Sequence, residues 1–362
     1  MKYQNIRRRT RSVKVGRIGI GGDAPIAIQS MTNTDTHDVA ATLAQVRALE
    51  AAGCDVVRLT VPDETAALTI SAIKHAGVQI PLVADIHFNY RVALACVAQG
   101  VDKIRINPGN IGGEENVRAV VQACKDSGVP IRIGVNGGSL EKHILEKHGV
   151  PTADALVESA LYHARLLEKF DFYDTVISIK ASEVSTMIAA NRALAACTDY
   201  PLHLGVTEAG GVEMGSIKSA IGIGALLADG IGDTIRVSLT ANPVEEIGAA
   251  KRILSALSIE GQAGLNIVSC PTCGRTKIDL IALSRQFDEA VKREKLDDLP
   301  LRVALMGCAV NGPGEAREAD IGICGGDGEA LLIAKGRIIR KISEGDVISV
   351  LIGELKKIKE TM

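Results

Sequence analysis

Aromatic residues are scarce in this chain, at 2%, and tryptophan is absent, so it lacks the stacking platforms used on sugars and single-stranded nucleic acid. Nowhere do about 18 uncharged apolar residues follow one another, which argues against a membrane-spanning helix. Net charge is nearly missing as well: the formal value of −2 creates no global field for nucleic acid or anionic lipid. Any affinity for anions must come from a local cluster. The basic start, MKYQNIRRRTRSVKVG, leads into no continuous apolar stretch, and reads as a solvated tail before a hairpin rather than a secretory signal. The expectation is a cytoplasmic protein with neither nucleic acid nor a membrane as partner.

What is present is aliphatic. The 362 residues are 46% hydrophobic, carried by Ala, Val, Ile and Leu, which suits buried parallel strands and amphipathic helices. Eight β-like apolar runs, at 25–32, 55–62, 81–88, 101–108, 131–138, 175–182, 201–208 and 233–240, are each followed by a helix-like segment. Eight such units point to a closed (β/α)8 TIM barrel. A doubly wound open sheet would carry a nucleotide-binding glycine fingerprint early in the chain, and GGDAPIA at 21–27 is not one. SVKVGRIGIGG (12–22) reads as a hairpin able to plug the lower rim. The β/α rhythm breaks in SIEGQAG (258–264), so residues 1–258 are assigned to the barrel and 265–362 to a small α+β domain. In that domain NIVS, RVALMG, DIGIC and ALLIAKGRIIRKI read as strands, with a helix over 276–295 and another at the end.

The eight cysteines fall into two classes. Cys54, Cys96, Cys124 and Cys197 lie in apolar helical segments and read as core. Cys270-Pro-Thr-Cys273 follows one short strand and Cys308 follows another, so two strand ends bring three thiols together, a metal-site pattern rather than a redox pair. Zinc is disfavoured because no histidine follows His203. The fourth ligand is either Glu315, an exchangeable carboxylate suited to catalysis at iron, or Cys324, which would close the site for electron transfer alone. Spacing leaves both open.

A lone cation inside a buried strand has to face the barrel mouth or bear a large desolvation cost. Five of the eight strands carry one: Arg58, Arg105, Arg132, Lys180 and Arg236, joined by Asn107 and Asn136. Five on the face where barrel active sites lie argue for a multiply charged anion such as a diphosphate. Asp85, His87, Thr207 and Glu208 occupy other strand ends, and Glu208 is the candidate proton donor or acceptor. Gly210 and Gly211 open the next helix.

QSMTNTDT (29–36), VRLTVP, DIHFN, KIRINPGN, ISIKAS, LGVTEAG, SCPTCGRT and GCAVNGPGEA, taken in order, resemble the 4-hydroxy-3-methylbut-2-enyl diphosphate synthases of isoprenoid biosynthesis over nearly the whole chain. The resemblance implies a 4Fe-4S cluster on Cys270, Cys273, Cys308 and Glu315, with Cys324 structural. It implies a cyclodiphosphate substrate held by Arg58, Asp85, His87, Arg105, Asn107, Arg132, Asn136, Lys180, Thr207, Arg236 and Ser238, with Glu208 supplying a proton. Flavodoxin or ferredoxin is the implied electron donor. The short stretch near 258–264 leaves no room for the extra domain of plant-like members, so the two-domain bacterial form is expected. The second domain is also similar to sulfite and nitrite reductase domains, but without their four-cysteine spacing, so no siroheme is expected. A homodimer with active sites shared between chains is expected from the short linker. The alternatives are a pterin-type phosphate-binding barrel transferase with a structural metal, and a non-catalytic electron-transfer module.

Overall fold

The computed structural model describes residues 6–259, 264–310 and 312–362. It divides into two compact units, Met1–Ile253 and Leu254–Met362. Glu260 to Ala263, in the middle of the expected boundary, lie outside the described residues, as do the first five residues and Asn311. No helix among the described residues is long and apolar enough to cross a membrane.

The first unit opens with the expected hairpin, β1 (Val13–Val15) and β2 (Ile18–Ile20), paired antiparallel. Val13, Val15 and Ile20 are buried with Val176 of the barrel wall, and Gly16 sits tight against Asp102 and Pro81 at strand beginnings. The hairpin therefore closes the N-terminal rim. From residue 6 on, the tail before it is bound to the barrel, where the sequence expectation was a solvated tail. Arg7 pairs with Asp233 at 3.0 Å, Arg8 donates to the carbonyls of Thr198 and Tyr200, and Arg11 reaches Asp199 at 2.7 Å. Those carbonyls and carboxylates crowd the loops beneath the last two barrel strands, and three arginines there are stitches rather than a free arm.

All eight expected barrel strands form: β3 (Ala27–Met31), β4 (Val56–Thr60), β5 (Leu82–Asp85), β6 (Lys103–Ile106), β7 (Ile131–Asn136), β8 (Thr175–Lys180), β9 (His203–Leu204) and β10 (Thr234–Ile235). They pair in parallel, β10 returns to β3, and a parallel bridge from Ile177 to Leu202 closes the ring. Helices between them start where side chains cap them: Asp38 accepts from the Ala41 amide and Thr152 from the Ala155 amide.

Register fixes depth. Met31 aligns with Arg58, Arg58 with Val83, and Val83 with Lys103; continued around the ring, that row returns to the first strand about eight residues lower, the shear of this barrel type. Side chains at one height thus advance one residue per strand, and alternate strands share a layer. Descending from the C-terminal mouth, one layer holds Thr60, Asn107, Lys180 and Ser238. Below it come Met31, Asp85, Gly134 and Gly205, then Arg58, Arg105, Ser178 and Arg236. Deeper still are Gln29, Val83, Arg132 and His203, and lowest Val56, Lys103, Val176 and Thr234.

The second unit is a five-stranded sheet ordered β11 (Asn266–Ser269), β12 (Arg302–Met306), β13 (Ile321–Gly325), β14 (Glu329–Ala334) and β15 (Arg337–Ser343). Its first three strands are parallel and the rest antiparallel. Helices Leu280–Arg293 and Val347–Thr361 pack Phe287, Leu351 and Leu355 against Val303, Leu305 and Ile323. The run ALLIAKGRIIRKI, expected as one strand, is a hairpin. Lys335 and Gly336 both take left-handed φ, +47° and +74°, the two-residue turn that matches strand twist. The helix expected over 276–295 is shorter, because the Asp279 side chain caps it at the Ala282 amide.

Candidate active site and thiol cavity

At the mouth of the first unit lies a cavity of about 680 Å3. Of the residues picked out by sequence, His87, Arg105, Asn107, Asn136, Thr207 and Glu208 line it. Asn107 accepts from the Gly109 amide at 3.1 Å and donates to the Ser139 carbonyl at 3.3 Å, which joins two mouth loops. Asn110, Ser139 and Glu183 also line the cavity and were not picked out. Glu208 is an exposed carboxylate on a backbone turned to φ +53°, a conformation uncommon outside glycine. Strain of this kind gathers where a side chain must be aimed. The helix Val212–Ala228 begins straight after Gly210 and Gly211, as expected.

Arg58, Arg105 and Arg236 share one layer and are each tied down. Arg105 donates to Asp85 at 3.0 Å and Arg58 stands 3.6 Å from the same carboxylate. Burial works to raise the Asp85 carboxyl, but the two guanidiniums outweigh it and hold the group down at about 2. Asp85 is thus a fixed anion and no proton donor. His87 lies 3.9 Å from it, too far for a hydrogen bond. Arg58 and Arg236 both point at the Met31 sulfur, and Arg236 makes a fork with Glu246 at 3.2 and 3.1 Å. Sequence reading missed Glu246 as a partner of the barrel's cations. It sits in the first turn of the helix Pro243–Ala256, where an acid reads as an ordinary partner of the helix dipole.

Lys180 rises above this layer, and burial, then Arg236 and Arg58, push its ammonium well below its usual pKa. Gly205 leaves it space: a Cβ there would stand 3.0 Å from its Nζ. Ser238 faces inward two residues above Arg236. Arg132 is lower than the sequence suggested, 1% exposed and one layer beneath the other three arginines.

In the second unit, Cys270 follows β11 and Cys308 follows the adjacent parallel strand β12. Cys270, Cys273, Cys308 and Glu315 all line one cavity of about 160 Å3. The Gly307 amide donates to the Cys270 sulfur at 3.2 Å, the Cys273 amide donates to Thr276, and Thr272 between the two cysteines is held at φ +57°, a strained state for a β-branched residue. Glu315 is exposed at the end of the short helix Gly312–Glu315. Cys324 does not line the cavity. It is fully buried with Met306, Ala316 and Ile333, and burial pushes its thiol up to about 12. Cys54, Cys96 and Cys124 are buried as expected, whereas Cys197, the last residue of its helix, is exposed and is not a core residue.

Among the described residues, no three His, Cys, Asp or Glu side chains are gathered as single-ion ligands. A cubane cluster holds each ligand on a different iron, so its ligands stand further apart than those around one ion. Three thiols and a carboxylate lining one cavity, with an amide already aimed at a sulfur, fit such a group.

A cation-layered TIM barrel joined in sequence to a thiol-lined α/β unit defines a two-part enzyme handling a phosphorylated substrate. The chain belongs to the GcpE family: the GcpE TIM-barrel domain matches residues 10–251 and the GcpE C-terminal domain matches 266–357. It is 58% identical, over 97% of its length and 96% of the relative's, to the 4-hydroxy-3-methylbut-2-en-1-yl diphosphate synthase (flavodoxin) of Fusobacterium nucleatum. The protein of that name from Clostridium perfringens is also 58% identical, over 98% of this chain and 99% of its own. These matches set the pterin-type transferase reading aside. A solved type I 3-dehydroquinate dehydratase from Clostridium difficile matches 68% of this chain and 98% of its own at TM-score 0.50 and 15% identity, a likeness of barrel fold alone.

Proposed function

We infer that this protein opens the ring of 2-C-methyl-D-erythritol 2,4-cyclodiphosphate reductively, taking up two electrons and releasing one oxygen as water, to give 4-hydroxy-3-methylbut-2-enyl diphosphate. The observation that carries the reading is the identity of 58% over nearly the full length with synthases of that name. The barrel mouth supports it with the chemistry such a substrate needs. Arg105, with Arg58, Lys180 and Arg236 around it and Arg132 one layer below, presents charge-assisted donors to two phosphoryl groups. Asp85 and Glu246 fix the guanidiniums before substrate arrives, so little orientation is lost on binding. Asn107, Asn136, Thr207, Ser238 and His87 supply neutral contacts at the rim. Glu208, aimed by its left-handed backbone, supplies a proton to the departing oxygen.

Cys270, Cys273, Cys308 and Glu315 would hold a 4Fe-4S cluster, which supplies electrons one at a time when bound. Cys324, with its thiol kept protonated by burial, serves packing. The carboxylate of Glu315 is the weakest of the four donors toward iron and the one best able to yield its place. The electron donor is flavodoxin or ferredoxin, and the reaction runs in the cytoplasm. The working form is a homodimer in which each active site combines the barrel of one chain with the thiol-lined unit of the other. An exposed apolar stripe on the helix Val212–Ala228, Met214, Ile217 and Ile221, supports a partner on the barrel's flank.

The test is anaerobic purification, assay of iron, sulfide and the visible spectrum, then turnover of the cyclodiphosphate with reduced flavodoxin. A brown protein that forms the linear diphosphate is expected. A colourless, zinc-bearing protein without turnover overturns the reading.

A further inference from the structure

Two loops at the mouth, one after β6 and one after β7, meet over a buried acid and base. Glu141 stands at the start of the helix Lys142–His148, yet its carboxylate makes no cap bond to that helix. It turns instead to His163 of the helix Ala153–Glu168, with Oε1 2.5 Å from Nε2. The His163 side chain is 0% exposed and that of Glu141 12%. Burial works to raise the Glu141 carboxyl, but hydrogen bonds, the one from His163 foremost, together outweigh it and hold the group down at about 2. The acid is therefore ionised at neutral pH, and His163 Nε2 is the donor.

Stability does not explain the pair. Two apolar side chains of similar volume would pack there as well, because a carboxylate taken out of water regains little more than it loses, and His163 Nδ1 has no partner among the described residues. What a short hydrogen bond adds is direction, and its surroundings show what is directed. Gly109 lies against the ring edge of His163: a Cβ at residue 109 would stand 2.8 Å from His163 Cε1 and 3.5 Å from Glu141 Oε1. The Gly109 amide donates to Asn107 Oδ1 at 3.1 Å, and Asn107 Nδ2 donates to the carbonyl of Ser139 at 3.3 Å, two residues before Glu141. The contacts thus close a ring, from His163 through Gly109, Asn107 and Ser139 to Glu141 and back. Asn107 keeps one donor and one acceptor position for a ligand, and it lines the mouth cavity.

We propose that Glu141 and His163 are positioning residues for the substrate site: their hydrogen bond clamps the loops after β6 and β7 to the helix Ala153–Glu168 and holds the Asn107 side chain where it meets substrate. The proposal rests on the mouth being the substrate site. Neither Glu141 nor His163 lines the cavity, so both act through Asn107.

The experiment compares the cluster-loaded full chain with variants of the clamp, reading kcat, KM and hydrogen exchange. His163→Leu should raise KM about tenfold and leave kcat within about twofold, because Asn107 is a contact made alike in the ground and transition states. His163→Gln, whose amide restores an N–H donor, should recover most of that loss. Asn107→Ala should raise KM by a similar factor, and adding His163→Leu to it should raise KM no further. With Ser238→Ala, above the strand opposite β6 in the ring, the two effects should multiply instead. An unchanged KM in His163→Leu, a pure kcat effect, or losses that multiply with Asn107→Ala would each overturn the proposal. If His163→Leu does not fold, Gly109→Ala tests the same contact from the loop side, and an unchanged KM there overturns it equally. Absence of turnover by the unmodified protein would overturn the functional reading instead. Hydrogen exchange over 107–110 and 136–141, faster in His163→Leu and restored in His163→Gln, would then still decide whether the pair clamps the loops.

Discussion

Arg105 donates from Nη1 to Asp85 Oδ1 at 3.0 Å, and the two residues stand on neighbouring strands at aligned register positions. The pair is 3% exposed on the acid side, and Arg58 shares the carboxylate, so the acid is pinned between two guanidiniums. This arrangement turns what could be a proton donor into a scaffold for cations.

A pH dependence follows from Asp85. Its folded-state pKa, about 2, lies below the unfolded value near 3.8, so its contribution is present above about pH 4 and is lost as pH falls toward 2. The shift corresponds to about 2 kcal/mol. Urea unfolding followed by circular dichroism should show that acid loss in the unmodified protein and a smaller one in Asp85→Asn. Equal pH slopes for the two proteins would refute the coupling.

Glu208 and Arg105 line the same cavity but should fail differently. Glu208→Gln keeps shape and loses the proton, so kcat should fall by roughly 100-fold or more with little change in KM. Arg105→Ala removes a charge-assisted contact of about 1.5–3 kcal/mol, and calorimetry should show substrate affinity reduced about tenfold or more. A pure KM effect in Glu208→Gln would remove it from proton transfer.

The barrel was legible because eight parallel strands buried on both faces must read as apolar runs, and a cation inside such a run has few places to point. Depth was not legible. Whether Arg132 reaches the mouth depends on how far each strand is shifted against the next, and that register is set by packing around the whole ring, not by residues 131–136. Lys103 escaped notice for a local reason: at the start of a strand a lysine reads as a solvated end. Glu246 was hidden as a helix-start acid, and Arg7 and Arg8 as a free tail, because their partners near 198 and 233 are distant in sequence. In the second unit the thiols were plain from CxxC and strand ends, but that Glu315 lines their cavity while Cys324 is packed away among Met306, Ala316 and Ile333 depends on tertiary packing that spacing does not carry.

That choice yields a prediction. Cys324→Ser changes a buried packing atom, so iron and sulfide content should stay near that of the unmodified protein. Glu315→Ala should keep much of the iron through Cys270, Cys273 and Cys308 while turnover is lost. Loss of the cluster from Cys324→Ser with full activity in iron-replete Glu315→Ala would reverse the two roles.

The last prediction concerns how many chains make one site. Every barrel strand runs toward the mouth and every helix returns, so the helix Pro243–Ala256 ends at the N-terminal side of its own barrel, away from Glu208 and Lys180. Between Ser258 and Asn266 the chain has a reach of at most about 30 Å, and the way around the outer helices is longer than the barrel is tall. A two-fold dimer in which each chain lends its thiol-lined unit to its neighbour's mouth removes that constraint and makes two equivalent sites. Neither an Arg105→Ala chain nor a Cys308→Ser chain should turn over alone. Mixed under conditions that exchange subunits, they should recover activity, because each heterodimer then contains one site with an intact mouth and intact thiols. Demonstrated exchange without recovered activity would show that each chain completes its own site.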